Sequence, residues 1–105
     1  PKLGLRYITL NAELAEKNDL PRQSGAWVNR GSEEYDNLDI IIPDGPADKA
    51  GIEEGDIIFE INARPVNEDN TLLSEIQRYR PGDRIGLKIQ RGDKVIIREV
   101  TLGRF

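Results

Sequence analysis

Gly45-Pro46-Ala47-Asp48-Lys49-Ala50-Gly51-Ile52, followed two residues later by Gly55-Asp56-Ile57-Ile58-Phe59-Glu60-Ile61, is the stretch that decides the fold. Pro43-Asp44-Gly45-Pro46 is a turn signal, and Pro46 stands where a helix starts. Ala47 to Ala50 form one helical turn, which Gly51 stops in a left-handed conformation. Gly55-Asp56 then opens a strand over 57–61. That strand reverses through Asn62-Ala63-Arg64-Pro65-Val66, where Asn62 can take positive φ.

Upstream, Leu5 to Leu10 alternate as a strand partly buried on both faces. Asn11 caps a short helix over 12–17 that ends near Asn18, before Leu20-Pro21. Gly25 to Asn29 form a second strand with Trp27 pointing inward, residues 30–37 an acidic loop, and Leu38 to Ile42 a third strand. Downstream, Asn67 or Asn70 caps the longest helix. Leu72, Leu73, Ile76 and Tyr79 form its apolar face, with Glu68, Glu75, Gln77 and Arg78 in solvent and Pro81-Gly82 as the stop. Residues 84–90 and 95–102 form a hairpin around Arg91-Gly92-Asp93-Lys94. This order of elements is α+β.

The 105 residues suit one domain, with 37% hydrophobic and 32% charged residues and no Cys. A net charge of −4 opposes nucleic-acid binding, although ten of the fifteen basic residues are Arg. The longest aliphatic run, Ile40-Ile41-Ile42, is far too short to insert in a membrane. No leader opens the chain, and a start at Pro1-Lys2-Leu3-Gly4 suggests a segment of a longer protein.

Without His or Cys the usual general base, nucleophile pair and zinc ligands are missing, so no catalytic residue, cofactor or metal is expected. Ser24, Ser32 and Ser74 lack an activating partner. Glu53, Glu54 and Asp56, like Glu33, Glu34, Asp36 and Asp39, read as solvated acids, since neither group has calcium-loop spacing. Arg91-Gly92-Asp93 reads as hairpin-turn chemistry rather than a receptor motif. The informative feature is Leu3-Gly4-Leu5, because a glycine before a strand lets successive N–H groups converge on an anion such as a terminal carboxylate.

Leu3-Gly4-Leu5, the Asn11-to-Ala15 segment, the Gly45-to-Ile61 stretch and the Pro81-Gly82-Asp83 helix end together resemble a PDZ domain. The resemblance is to the circularly permuted type of bacterial HtrA (Deg) trypsin-like serine proteases, and it covers nearly the whole chain. It implies one PDZ domain over 1–105, a partly open barrel or sandwich of five to six strands with one long and one or two short helices. It further implies a module without catalysis of its own, which captures hydrophobic C-terminal tails of unfolded or regulatory proteins by β-augmentation beside the parent's protease domain. A periplasmic or cell-envelope setting and a role in protein quality control follow from the same likeness.

On that likeness Leu3, Gly4 and Leu5 form the carboxylate loop, and Leu5, Arg6, Tyr7 and Ile8 the edge strand. Asp69, Leu73 and Ile76 line the helix wall, with Leu72 turned to the core. Leu73 and Ile76 would receive the last side chain, and Asp69 a polar or basic residue upstream. The chain departs from the family in lacking an aromatic residue before the loop, in carrying Ala63 where Gly is usual, and in the length of loop 30–37. The alternative is a docking module with a blocked groove, its contacts made through Arg78, Arg80 and Arg84. A third reading, a hydrolase module, is disfavoured by composition. The chain's own end, Arg104-Phe105, could occupy a neighbour's groove.

Overall fold

The computed structural model describes residues 2–31 and 38–104. Among them run β1 (Tyr7–Thr9), α1 (Ala12–Lys17), β2 (Ala26–Val28), α2 (Pro46–Lys49), β3 (Ile57–Ile61), β4 (Arg64–Pro65), α3 (Leu72–Ile76), β5 (Arg84–Arg91) and β6 (Lys94–Thr101). All strands pair antiparallel in one sheet ordered β1-β2-β3-β5-β6, with β4 paired to β3 beside that path. β1 therefore lies at a sheet edge. This is the α+β arrangement expected from the sequence.

Local chemistry explains the joints. The Leu14 N–H donates to the Asn11 side chain at 2.7 Å and caps α1. Pro46 opens α2 and Gly51, at φ 79°, follows its end. Gly25, at φ 131°, enters β2 where an added Cβ would lie 2.8 Å from Ile57 Cγ2 and 2.9 Å from the Ile58 carbonyl oxygen. The β3–β4 reversal puts Asn62 at φ 48° and Ala63 at φ 66°, the two left-handed residues of a tight hairpin.

The core collects the inward face of the sheet (Val28, Ile58, Ile61, Ile85, Leu87, Ile89, Val100), closed by Ala47 of α2, Leu72 and Ile76 of α3, and Leu3. Each fully buried Leu, Ile or Val contributes about 1.5–3 kcal/mol relative to exposure.

Several sequence expectations change. The helix near the C-terminal half is short: α3 holds five residues, and the chain continues through turns in which Arg78 and Tyr79 N–H donate to the carbonyls of Glu75 and Ile76. Its cap is Thr71, whose hydroxyl accepts from the Ser74 N–H, and not Asn67 or Asn70. Trp27 is half-buried, because Ala26 and Val28 take the core side and alternation sends Trp27 to the other. Residues 38–42 do not form a full strand. Ile41 instead bridges Leu5, with the Arg6 N–H donating to Ile40 O at 2.8 Å and the Ile42 N–H to Gly4 O at 3.0 Å.

This last pairing extends the β1–β2 ladder. The β1–β2 register continues as far as Asn29, whose N–H donates to Arg6 O at 3.2 Å, and Ile41 then stands where residue 30 would come. The ladder beside β1 thus breaks off after Asn29 and resumes at Ile40 on the same side of β1. Residues 32–37 of the acidic loop, including Ser32, Glu33, Glu34 and Asp36, lie outside the described residues, as does Phe105 with the tail proposal made for it.

Two acids expected in solvent are buried. Asp56 takes a fork from Arg91 (2.9 and 2.8 Å) and the N–H of Glu53 (2.9 Å). Glu75 is fully buried, three residues on from Leu72 and next to Ile76 on the inner face of α3, where it meets Arg64. Arg91, committed to Asp56 and to Glu53 at 3.2 Å, is a structural residue of the hairpin turn.

Candidate functional site

In an antiparallel ladder, alternate residues aim both backbone groups at the same neighbour. Arg6, Ile8 and Leu10 face β2: the Leu10 N–H donates to Gly25 O at 2.9 Å and Arg6 O accepts from Asn29. By alternation the N–H and C=O of Leu5, Tyr7 and Thr9 face the other way, along the outer edge of the sheet. This edge is a ready template for one more strand.

The loop ahead of it is held by its carbonyls. Those of Lys2, Leu3 and Gly4 accept from the N–H groups of Gly103 (3.0 Å), Ala47 (2.9 Å) and Ile42 (3.0 Å). In a planar trans peptide the C=O and the next N–H point in opposite directions. The N–H groups of Gly4 and Leu5 are therefore turned away from α2 and from Ile42. Gly4 reaches this geometry at φ 75°, a conformation that suits a residue without a side chain.

Between edge and helix runs a groove of about 520 Å³, lined by Leu3, Leu5 and Tyr7 on one wall and Leu72, Leu73 and Ile76 on the other. Lys2, Gly4, Arg6, Leu38, Asp39 and Ile42 complete its loop end. Among the described residues five large apolar side chains are exposed, and three of them, Leu38 (46%), Ile42 (42%) and Leu73 (57%), stand on this groove. Such clustering of exposed apolar surface marks an interaction site.

Of the residues singled out in the sequence, Leu3, Gly4, Leu5, Arg6, Tyr7, Leu73 and Ile76 come together here. Ile76 is only 5% exposed and belongs to the core as well, as does Leu72. Ile8 does not line the groove; its backbone faces β2, and its side chain lies near Gly31. Asp69 does not line it either. It sits in the turn before Thr71, its N–H bonded to Asn67, so the helical spacing used to align it with Leu73 and Ile76 does not apply. Leu38, Asp39 and Ile42 were not singled out, and only the resumed ladder at Ile41 brings them to the loop.

α3 is positioned by charge. The Glu75 carboxylate accepts from Arg64 Nε (2.8 Å) and Asn70 Nδ2 (2.9 Å), tying the helix to β4 and to the turn before it. Burial by itself pushes this carboxyl up, but the hydrogen bonds from Arg64 and Asn70, with the charges of Arg64 and Arg78, outweigh it and hold it below the usual carboxylate range. Beyond the helix, Asn62 Nδ2 donates to the Tyr79 hydroxyl at 2.9 Å.

An edge strand led by a glycine loop and faced by a helix defines a PDZ domain, and the chain belongs to that family, matching it over residues 1–102. Its relatives are of the HtrA/Deg type. It is 32% identical over 100 residues to a probable periplasmic serine endoprotease DegP-like of Marinomonas sp. (strain MWYL1), covering 95% of this chain and 19% of that one. It is equally identical to the periplasmic pH-dependent serine endoprotease DegQ of Escherichia coli (strain K12), covering 95% and 20%. The chain thus spans about a fifth of the length of these relatives.

Among solved structures, HtrA-type protease AlgW with decapeptide superposes with a TM-score of 0.73 at 26% identity, over 97% of this chain and 28% of that one. The HtrA3 PDZ domain bound to a phage-derived ligand (FGRWV) superposes with a TM-score of 0.70 at 24% identity, over 95% and 83%, and supports the fold. The chain is a PDZ domain, a binding module and not a catalytic domain.

Proposed function

We propose that this domain binds the free C-terminal tail of a partner polypeptide as an added strand on β1. The observation that carries the reading is the outward-facing backbone of Leu5 and Tyr7 beside an apolar groove, with the Gly4 and Leu5 N–H groups at its loop end. A tail would pair its backbone with Leu5 and Tyr7, set its carboxylate against those N–H groups, and place its last side chain between Leu5, Leu73 and Ile76. Contact over a few residues suits dissociation constants of about 1–100 μM.

The peptide ligands named with the AlgW and HtrA3 structures support this reading by likeness. We extend it, on the Deg-type relatives, to a parent serine protease of the bacterial periplasm. There the domain would present hydrophobic tails of unfolded or regulatory proteins to the protease domain in protein quality control. Titration of peptides ending in Val, Leu, Ile or Phe tests the binding step when each is compared with its C-terminal amide. The acid should bind at least about tenfold more tightly. Equal affinity of acid and amide would refute the carboxylate contact.

A further inference from the structure

The Tyr7 side chain crosses the groove. Its hydroxyl accepts from the Leu73 N–H at 3.0 Å, joining β1 to the first turn of α3. The first N–H groups of a helix lack intrahelical acceptors. Thr71 serves that of Ser74, and Tyr7 that of Leu73. The ring is therefore fixed at both ends, by the strand that carries it and by the helix it reaches. The groove lining stops at this level, at Tyr7 on one wall and Leu72 and Leu73 on the other, without reaching Thr9 or Asp69.

We propose that Tyr7 determines specificity by occupying the space of the ligand's third side chain from the end, so that the groove selects tails with a small residue there. The proposal rests on the reading of the groove as a C-terminal peptide site. With the carboxylate at the Gly4 and Leu5 amides, the last residue pairs with Leu5, and the period of two puts the third from the end opposite Tyr7. Directly paired residues of an antiparallel ladder carry their side chains on one face, about 5 Å apart at Cβ. The ligand's third side chain thus shares its face with the Tyr7 ring, in space already spanned to α3. Gly, Ala or Ser fits beside the ring. Leu or Phe must displace it, releasing the Leu73 N–H from its acceptor and exposing the ring.

The test uses free-acid hexapeptides ending in Ala-Val that differ only at the third residue from the end (Gly, Ala, Leu or Phe), titrated into the chain and into Tyr7→Ala and Tyr7→Phe variants. The unmodified chain should bind the Gly and Ala peptides about tenfold more tightly than the Leu and Phe peptides. Tyr7→Ala should remove or reverse that preference, and Tyr7→Thr, which suits a strand, substitutes for it if folding is impaired. Tyr7→Phe keeps the ring and should keep the preference, while speeding hydrogen exchange of the Leu73 amide.

An identical ranking with and without the ring would overturn the proposal, as would a preference of the unmodified chain for Leu or Phe. If no peptide binds the chain or any variant, the reading of the groove itself fails, and the proposal with it. Binding without discrimination defeats the role of Tyr7 alone.

Discussion

At the level of single residues, Ala63 and Glu75 make the sharpest predictions. Ala63 sits at φ 66° in a hairpin turn, where a Cβ is strained. Ala63→Gly should therefore raise stability by about 1 kcal/mol, read as a shift in denaturant midpoint, despite the greater freedom of glycine in the unfolded chain. Glu75 has a folded pKa below its unfolded value of about 4.3, so its contribution is complete above that pH and is lost as pH falls through the folded value. Glu75→Gln should lower the melting temperature at pH 7 and flatten the loss of stability below about pH 4. Ala63 was noted in the sequence as a departure from family usage. Glu75 was not legible, because helical spacing puts it on the face of Leu72 and Ile76 but a carboxylate reads as solvent-facing until its partner is known, and Arg64 lies eleven residues away on another element.

At the level of elements, α3 separates two neighbouring apolar residues that the sequence pattern treats alike. Leu73 is 57% exposed on the groove, and Ile76 is 5% exposed beneath it. Leu73→Asp should weaken binding of a Val-ended peptide about tenfold or more while leaving the melting temperature nearly unchanged, since a surface acid in the first turn of a helix is tolerated. Ile76→Asp should cost about 4 kcal/mol and unfold much of the population, because it buries an unpaired charge. Urea melts and peptide titrations of the pair check both outcomes.

The edge strand was legible from alternation at 5–10, and α2 from Pro46 and Gly51. The interrupted ladder was not, because resuming at Ile41 depends on how the chain returns to Leu5 and not on local propensity. That return is also what brings Leu38 and Asp39 to the groove.

At the scale of the whole molecule, the two ends of the chain meet at the site. Lys2 and Gly103 exchange two backbone hydrogen bonds of 3.0 Å, so the segment just beyond β6 holds the loop that carries the Gly4 and Leu5 amides. Truncation after Leu102 removes the acceptor of the Lys2 N–H, so it should speed exchange of the Lys2 amide and weaken peptide binding severalfold, with β5 and β6 still protected. The radius of gyration, 12.8 Å, agrees with the value of about 13 Å for a compact chain of this length. Unfolding is accordingly expected in one cooperative step. Strand addition depends on the orientation of the β1 backbone, which residue-by-residue amide spectroscopy reads directly. On addition of a free-acid peptide ending in Val, the amides of Leu5 and Tyr7 should shift and gain protection from exchange. Those of Arg6 and Ile8, already in the β1–β2 ladder, should not. Unchanged Leu5 and Tyr7 amides at a peptide concentration that saturates binding elsewhere would contradict the added strand.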